Sequence, residues 1–480
     1  MFLGLDLGTT NTKALLLDDA GRIAAHGSAA VPIRHGPGGT VEQDIEQIWS
    51  STLDALRQIA GGGLAGSVRA VGVSSQGGAL VVLDGEGRPV GPVISWMDGR
   101  AAAASRELTQ ELGAAWFRRH TGHGACGVAA GQMAHLRRHC PYLLSPPHRI
   151  GFVGDVIVGR LCGRAATDAT SFSISVLFNP WLGQVDPELL KHLGIERTQL
   201  PEQLEPREPA GGIAPDIARL TGLPAGIPVS TAIHDQYAAA LGCGCVRKGD
   251  LMFGAGTAWV LLAIGDRLLE PVIDEAFVCT HLIDGLWGQL LSMGNGGSAV
   301  SWILRTLGLK LDAEGLDRLI EEAPAGCDGV RCWPLLAPGG GAKVPGDPGG
   351  RLSGLRLSHA PGHIVRAVVE GLALELARYL NLLKEGGVPV QRLVMCGGGA
   401  ASRVTPQIVA DACGLPVARV TRSDTSALGA AVLARGLVQP DSSLAELALA
   451  MVCGAGQVVP GDTHTIYRIL FSEYLAALGL

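Results

Sequence analysis

The chain has 480 residues, long enough for two domains with ample core. Hydrophobic residues make up 47% and charged ones 17% at a formal charge of −6, which describes a soluble globular protein without a basic surface for nucleic acid. No apolar run reaches membrane-spanning length (447–456 is the longest), and no basic region precedes the first apolar run, so neither a membrane span nor a secretory leader is expected.

Residues Phe2 to Asp18 read as a β-hairpin, two apolar runs around Gly8-Thr9-Thr10-Asn11. Asp6, at the end of the first run, is a carboxylate that can hold a hydrated cation. Gly8 lets a ligand approach the backbone, and Thr9, Thr10 and Asn11 offer donors to phosphate oxygens, with Lys13 adding positive charge. No Gly-Lys-Ser/Thr closes the loop, so it is not a Walker A motif. A turn at Asp18 to Gly21 and a third strand from Arg22 to His26 follow. Apolar residues from Ile45 to Ile59 recur at helical spacing, and Asp44 is placed to cap that helix.

A buried strand over Val68 to Val73 opens onto Ser74-Ser75-Gln76-Gly77-Gly78, and a further hairpin delivers Trp96-Met97-Asp98-Gly99-Arg100. Polar strand ends gather at the carboxyl edge of an α/β sheet, where ligands bind. Gln76, Trp96, Asp98 and Arg100 are therefore candidates for a polyol pocket, an aromatic face with a carboxylate and an amide. The alternative is a local Asp98–Arg100 salt bridge with Trp96 as core packing. From 105 to 220 helical and irregular segments alternate; Asp155 begins a short helix, and Thr167 to Ser171 form a capped polar loop. The turn-rich stretch from Gly222 to Pro228 is the expected boundary, giving domains over 1–226 and 227–480.

Next, a strand from Pro228 runs into His234-Asp235-Gln236 and a helix of small residues. Asp235 stands at that helix's N-terminus, where it can accept a proton from an attacking hydroxyl or act as a plain N-cap. The eleven cysteines, Cys243 and Cys245 among them, show no Cys-x-x-Cys pair and read as reduced thiols of a cytoplasmic protein. Leu251 to Ile264 repeats strand, Gly256-Thr257 turn and strand, an echo of the opening hairpin that suggests internal duplication. Helices are expected over 298–309, 311–320 and 364–383, with a glycine- and proline-rich loop over 334–350. The strand from Leu393 to Cys396 leads into Gly397-Gly398-Gly399-Ala400-Ala401-Ser402, whose glycines let backbone lie flat against a ring or phosphate, and a tightly packed helix begins at Thr425.

In this order the pieces resemble an FGGY-family carbohydrate kinase over nearly the whole chain. The strongest match is Gly350-Arg351-Leu352-Ser353-Gly354-Leu355, then seven residues, then His363 to Glu370. Glu42-Gln43-Asp44, Trp96 to Arg100, Gly256-Thr257 and Gly397 to Ser402 are also familial. The resemblance implies an α/β fold of two actin-like (ribonuclease-H-type) domains with an ATP/sugar cleft between them. It implies ATP binding by Gly8, Thr9, Thr10, Asn11, Lys13, Gly256, Thr257, Gly398, Gly399 and Ser402, and a general base at Asp235. Gln76, Gly77, Trp96, Asp98, Arg100, His234 and Asp235 would meet the sugar, and Asp6 and Asp235 would hold Mg²⁺.

The chain departs from the family in three places. After the glutamine, glycerol kinases carry arginine and glutamate and xylulose kinases methionine and histidine; here Gly77 and Gly78 stand, which argues against glycerol. A familial Gly-Glu-Arg loop is here Gly341 to Pro345, and Thr405 replaces an aromatic near the adenosine glycines. The expected activity is phosphorylation of a small-molecule sugar, a ketopentose such as xylulose. Another ketose or polyol, or an actin-like ATPase switch without a sugar, is the rival. No nucleic acid or membrane partner is expected, and a homodimer is allowed for.

Overall fold

The structure is a computed structural model that describes every residue except 338–341, 343, 345, 347, 423, 453 and 455. The loop read over 334–350 thus falls partly outside the described residues, Gly341, Lys343 and Pro345 included. Two compact units are formed: Met1–Val246, Asp266–Gly288 and Asp424–Val452 make the first, and Arg247–Gly265, Gln289–Ser423 and Cys453–Leu480 the second.

In the first unit the strands β1 (Phe2–Leu7), β2 (Asn11–Leu17), β3 (Ile23–Ala30), β4 (Ala70–Ser75) and β5 (Pro228–His234) lie in the order β3-β2-β1-β4-β5. β1 runs antiparallel to β2 and parallel to β4, and β4 parallel to β5. β4 is buried at every residue, and β1 at all but Asp6, as strands covered on both faces must be. The helix Ile45–Gly61 packs on β2 and β3, and Asp44 caps it by accepting from the Glu46 N–H at 2.9 Å. The helix Thr425–Val438 packs on β1 and β4. It lies so close that a Cβ on Gly4 would overlap the Ala427 carbonyl, and one on Gly72 the Ala430 carbonyl.

The boundary therefore differs from the one at 226/227. β5 pairs with β4 inside the first sheet, and the segment from Asp424 returns to the same unit. The turn at 222–228 is a connection within the sheet, because Pro209–Gly212 before it pairs antiparallel with β5. Element ends also move. β4 extends through Ser75, the third strand reaches Ala30, and Asp168 caps a helix, Ala169–Ile174, where a loop was expected.

In the second unit β6 (Asp250–Ala255), β7 (Trp259–Gly265), β8 (Trp287–Ser292), β9 (Arg392–Cys396) and β10 (Val417–Arg419) lie in the order β8-β7-β6-β9-β10. β6 runs antiparallel to β7 and parallel to β9, and β9 parallel to β10. The order, and the directions of β6, β7, β9 and β10, repeat those of the first sheet, which is the duplication suggested by the two Gly-Thr turns. The helix Pro361–Glu385 is buried on most of its faces, and the charges within it are paired where it is buried: Arg366 with Glu370 at 2.7 Å, Arg378 with Glu375 at 2.6 Å.

Candidate active site

The strand register of the first unit sets three polar residues side by side: Asp6 on β1 faces Lys13 on β2 and Ser74 on β4. The Ser74 hydroxyl donates to Asp6 Oδ1 at 3.0 Å, and the Lys13 ammonium pairs with Asp424 at 2.7 Å. Asp235 follows β5 directly, opening the helix Asp235–Gly242. Its Oδ1 receives Gln236 Nε2 at 3.2 Å and lies 3.1 Å from His234 Nε2, while Ser426 Oγ donates to its carbonyl at 3.1 Å. Burial, with the Asp235 charge nearby, pushes Asp6 up to about 7 against the pull of Ser74 and Lys13. Burial likewise pushes Asp235 up to about 6, with Gln236 opposing. A buried carboxylate whose proton affinity a second carboxylate raises further invites a cation.

Among the described residues no group of three or more His, Cys, Asp or Glu side chains could cage a metal. Two carboxylates do fit Mg²⁺, which keeps much of its water shell and shares its remaining positions with phosphate oxygens.

At the β1–β2 turn Gly8 N–H donates to the Asn11 carbonyl at 3.1 Å, and Thr10 is exposed, its hydroxyl accepting from Asn11 Nδ2 at 3.1 Å. Thr9 serves a different set of partners. Its hydroxyl accepts from Trp96 Nε1 and donates to Gln76 Oε1, both at 3.1 Å. Gln43 Nε2 donates to the Thr9 carbonyl at 2.9 Å, and Gln76 Nε2 to Gln43 Oε1 at 3.0 Å. This chain of bonds orients the Trp96 indole, which is 49% exposed and so an open platform. Gln43, which the sequence marks only as familial, is a member of the site; its place one residue before the helix cap was the available clue.

Asp98 and Arg100 form the local ion pair, at 2.8 Å, with Arg100 also reaching Glu42 at 2.9 Å. Burial works to raise the Asp98 carboxyl, but Arg100 and the Val41 N–H outweigh it and hold it below the usual range. With its side chain 1% exposed, Asp98 braces the Val41–Glu42 segment and has no oxygen left for a ligand. Gln76 and His234 are also buried, so they support the site from within. No hole opens over the two glycines after Gln76. A Cβ on Gly77 would overlap Ile174 and crowd the His234 ring, and one on Gly78, at φ +70°, would overlap Val128.

In the second unit Gly256 and Thr257 turn between β6 and β7, with Thr257 exposed. β9 is the parallel neighbour of β6, and Gly397, at φ +82°, sets its α-carbon against Ala255 and Gly256, where a Cβ would come within 3.1 Å of the Ala255 carbonyl. The two glycine motifs thus meet at one sheet edge, and the space over Gly398 is open. Ser402 is engaged within the fold: its hydroxyl donates to Asp317 at 2.6 Å and accepts from the Val404 and Thr405 N–H groups.

A doubled α/β sheet with glycine-threonine turns and a carboxylate pair at its strand ends is the framework of a phosphotransferase. The family model "FGGY family of carbohydrate kinases, N-terminal domain" matches residues 1–242, and that of the C-terminal domain matches 251–436. The xylulose kinase of Streptomyces rubiginosus is 32% identical over 480 residues, covering 98% of this chain and 95% of that one. The glycerol kinase of Trichlorobacter lovleyi is 32% identical over 449 residues, covering 90% and 89%. The crystal structure of xylulose kinase from Rhodospirillum rubrum superposes with a TM-score of 0.90 at 27% identity, covering 100% of this chain and 98% of that one. The chain belongs to the FGGY family of carbohydrate kinases, ATP-dependent enzymes of two actin-like, ribonuclease-H-type domains that phosphorylate a small-molecule sugar. A nucleotide switch without a sugar is thereby set aside. No helix among the described residues is long and apolar enough to cross a membrane.

Proposed function

We propose that the substrate is a ketopentose such as xylulose and that Asp235 is the general base, taking the proton of the attacking hydroxyl as the γ-phosphoryl group transfers in line. The observation that carries this reading is the state of the Asp235 carboxylate. Its proton affinity is raised, its Oδ1 accepts from Gln236, and its Oδ2 accepts no hydrogen bond among the described residues. One oxygen is fixed and the other is free to take a proton.

The exposed Thr10 hydroxyl on the Gly8–Asn11 turn suits phosphate oxygens, with Lys13, paired to Asp424, on the adjoining strand. In the second unit Gly256 and Thr257 are assigned to phosphate and Gly398 and Gly399 to adenosine, over the open surface at Gly398. Asp6 and Asp235 would hold Mg²⁺, which would neutralise phosphate charge. The Trp96 platform suits the apolar face of a sugar ring or chain. Relatives named for xylulose and for glycerol are equally similar, so identity does not choose between them. Gly77 and Gly78, covered by Ile174, His234 and Val128, offer none of the charged contacts a glycerol site presents there, which favours a ketose. Cys126, Cys140, Cys162, Cys279, Cys327, Cys332 and Cys413 are free thiols, in keeping with a reducing, cytoplasmic setting.

Asp235→Asn is expected to lower kcat at least about 100-fold, the range of general-base catalysis, with ADP affinity by calorimetry unchanged within about twofold. Near-normal turnover in that variant would remove Asp235 from its role. ADP release measured against a panel of pentuloses, hexuloses and polyols identifies the sugar, and a preference for glycerol would overturn the ketose.

A further inference from the structure

We propose that Asp424 is a positioning residue of the cation site: it draws the Lys13 ammonium away from Asp6 and so keeps the Asp6 carboxylate open to Mg²⁺. The proposal rests on the reading of Asp6 as a cation ligand.

Asp6 and Lys13 stand directly opposite each other on β1 and β2. Opposite residues of antiparallel strands share a face, with β-carbons about 4.5–5.5 Å apart, and an acid and a base so placed attract each other. Lys13 nevertheless pairs elsewhere. Among the described residues its one ion pair is with Asp424 Oδ1, at 2.7 Å, and the Asp6 side chain takes one hydrogen bond, from Ser74 Oγ at 3.0 Å.

Asp424 supplies the second, independent observation. It holds the N-cap position of the helix Thr425–Val438, where an aspartate side chain ordinarily accepts from a backbone N–H of the first turn, yet this side chain caps nothing. The carboxylate turns to Lys13 instead. It is 18% exposed and the lysine side chain 31%, so water screens the pair only in part. Two residues on, Ser426 Oγ donates to the Asp235 carbonyl at 3.1 Å, which fastens the start of this helix beside the second carboxylate. Without Asp424, the acid that faces Lys13 across the strand pair is Asp6. A lysine ammonium on its flexible stem can swing to that acid, and a cation must then displace a charge-assisted hydrogen bond to reach it.

The factor by which Mg²⁺ tightens ADP binding, from calorimetry with Mg²⁺ and with a chelator, tests this without turnover. Asp424→Asn should cut that factor about 10-fold, the weight of one charge-assisted hydrogen bond. Asp424→Glu keeps the anion and should hold the factor within about threefold. Losing a nearby negative charge weakens a cation site by itself, but by the same factor whatever stands at position 13. In a Lys13→Met background, therefore, Asp424→Asn should change the factor by less than about twofold. Asparagine is a favoured N-cap residue, so the helix should stand; thermal melts check it, and Asp424→Ser carries the same test if the asparagine variant does not fold. Equal losses from Asp424→Asn in both backgrounds, or no loss in the native one, would overturn the proposal. An unchanged factor in Asp6→Asn would instead overturn the reading of Asp6.

Discussion

Asp155 sits in the first turn of the helix Val153–Cys162, 1% exposed, its Oδ2 accepting from the Phe152 N–H at 2.7 Å. Burial pushes its carboxyl up to about 8, only partly offset by that hydrogen bond. The unfolded chain releases the same proton near a pH of about 4. Between those values the folded state holds more proton than the unfolded one, so stability falls as pH rises, by up to about 1.4 kcal/mol per pH unit for one group. The contribution is complete below about pH 4 and lost by about pH 8. Asp155→Asn should flatten the decline of Tm between pH 5 and 8 and raise Tm at pH 8; an unchanged slope would mean that Asp155 ionises freely in the fold. Thr9 shows where reading single residues stops. Its sequence neighbours mark it for phosphate, yet its hydroxyl joins Trp96 to Gln76, because the side a turn residue faces depends on residues 67 and 87 positions away. Thr9→Val should raise the KM for sugar about tenfold, the loss of about 1.4 kcal/mol of hydrogen bonding, and leave the KM for ATP unchanged.

The helix Thr425–Val438 lies against the helix Asp235–Gly242 as closely as against the strands: a Cβ on Gly429 would overlap the Ala238 carbonyl. Backbone cannot give way as a flexible side chain can, so Gly429→Ala must push these helices apart, and one of them begins with Asp235. Overpacking of this kind costs about 1–3 kcal/mol, a fall in Tm of about 2–4 °C per kcal/mol in a domain of this size. Turnover should fall with it, whereas Ala434→Gly in the same helix should lower Tm without that loss. Elements with their own periodicity were legible in the sequence: the opening hairpin, the capped helix after Asp44 and the long helix before Gly386. What stayed hidden were partnerships made at a distance. Lys13 reads as a free cation until Asp424, 411 residues on, is folded beside it. The turn at 222–228 has the same residues whether it closes a domain or re-enters a sheet, and only the pairing of β5 with β4 decides.

At the scale of the molecule, the first unit is not a continuous stretch of chain. The N-terminal family model ends at residue 242, yet the unit also takes in Asp266–Gly288 and Asp424–Val452. Within the helix Thr425–Val438, Leu428 is 1% exposed and Val432 and Leu433 are fully buried. Those three side chains contribute about 1.5–3 kcal/mol each, together comparable with a domain's whole net stability of about 5–15 kcal/mol. A chain of residues 1–242 would also leave one face of β1 and β4 bare. It should therefore show no cooperative thermal transition by circular dichroism, while the same chain with residues 424–452 joined through a flexible linker should regain one. A sharp melt of 1–242 alone would mean that the sheet and its remaining helices suffice, and that the returning helix serves only to brace Asp235 through Gly429 and Ser426.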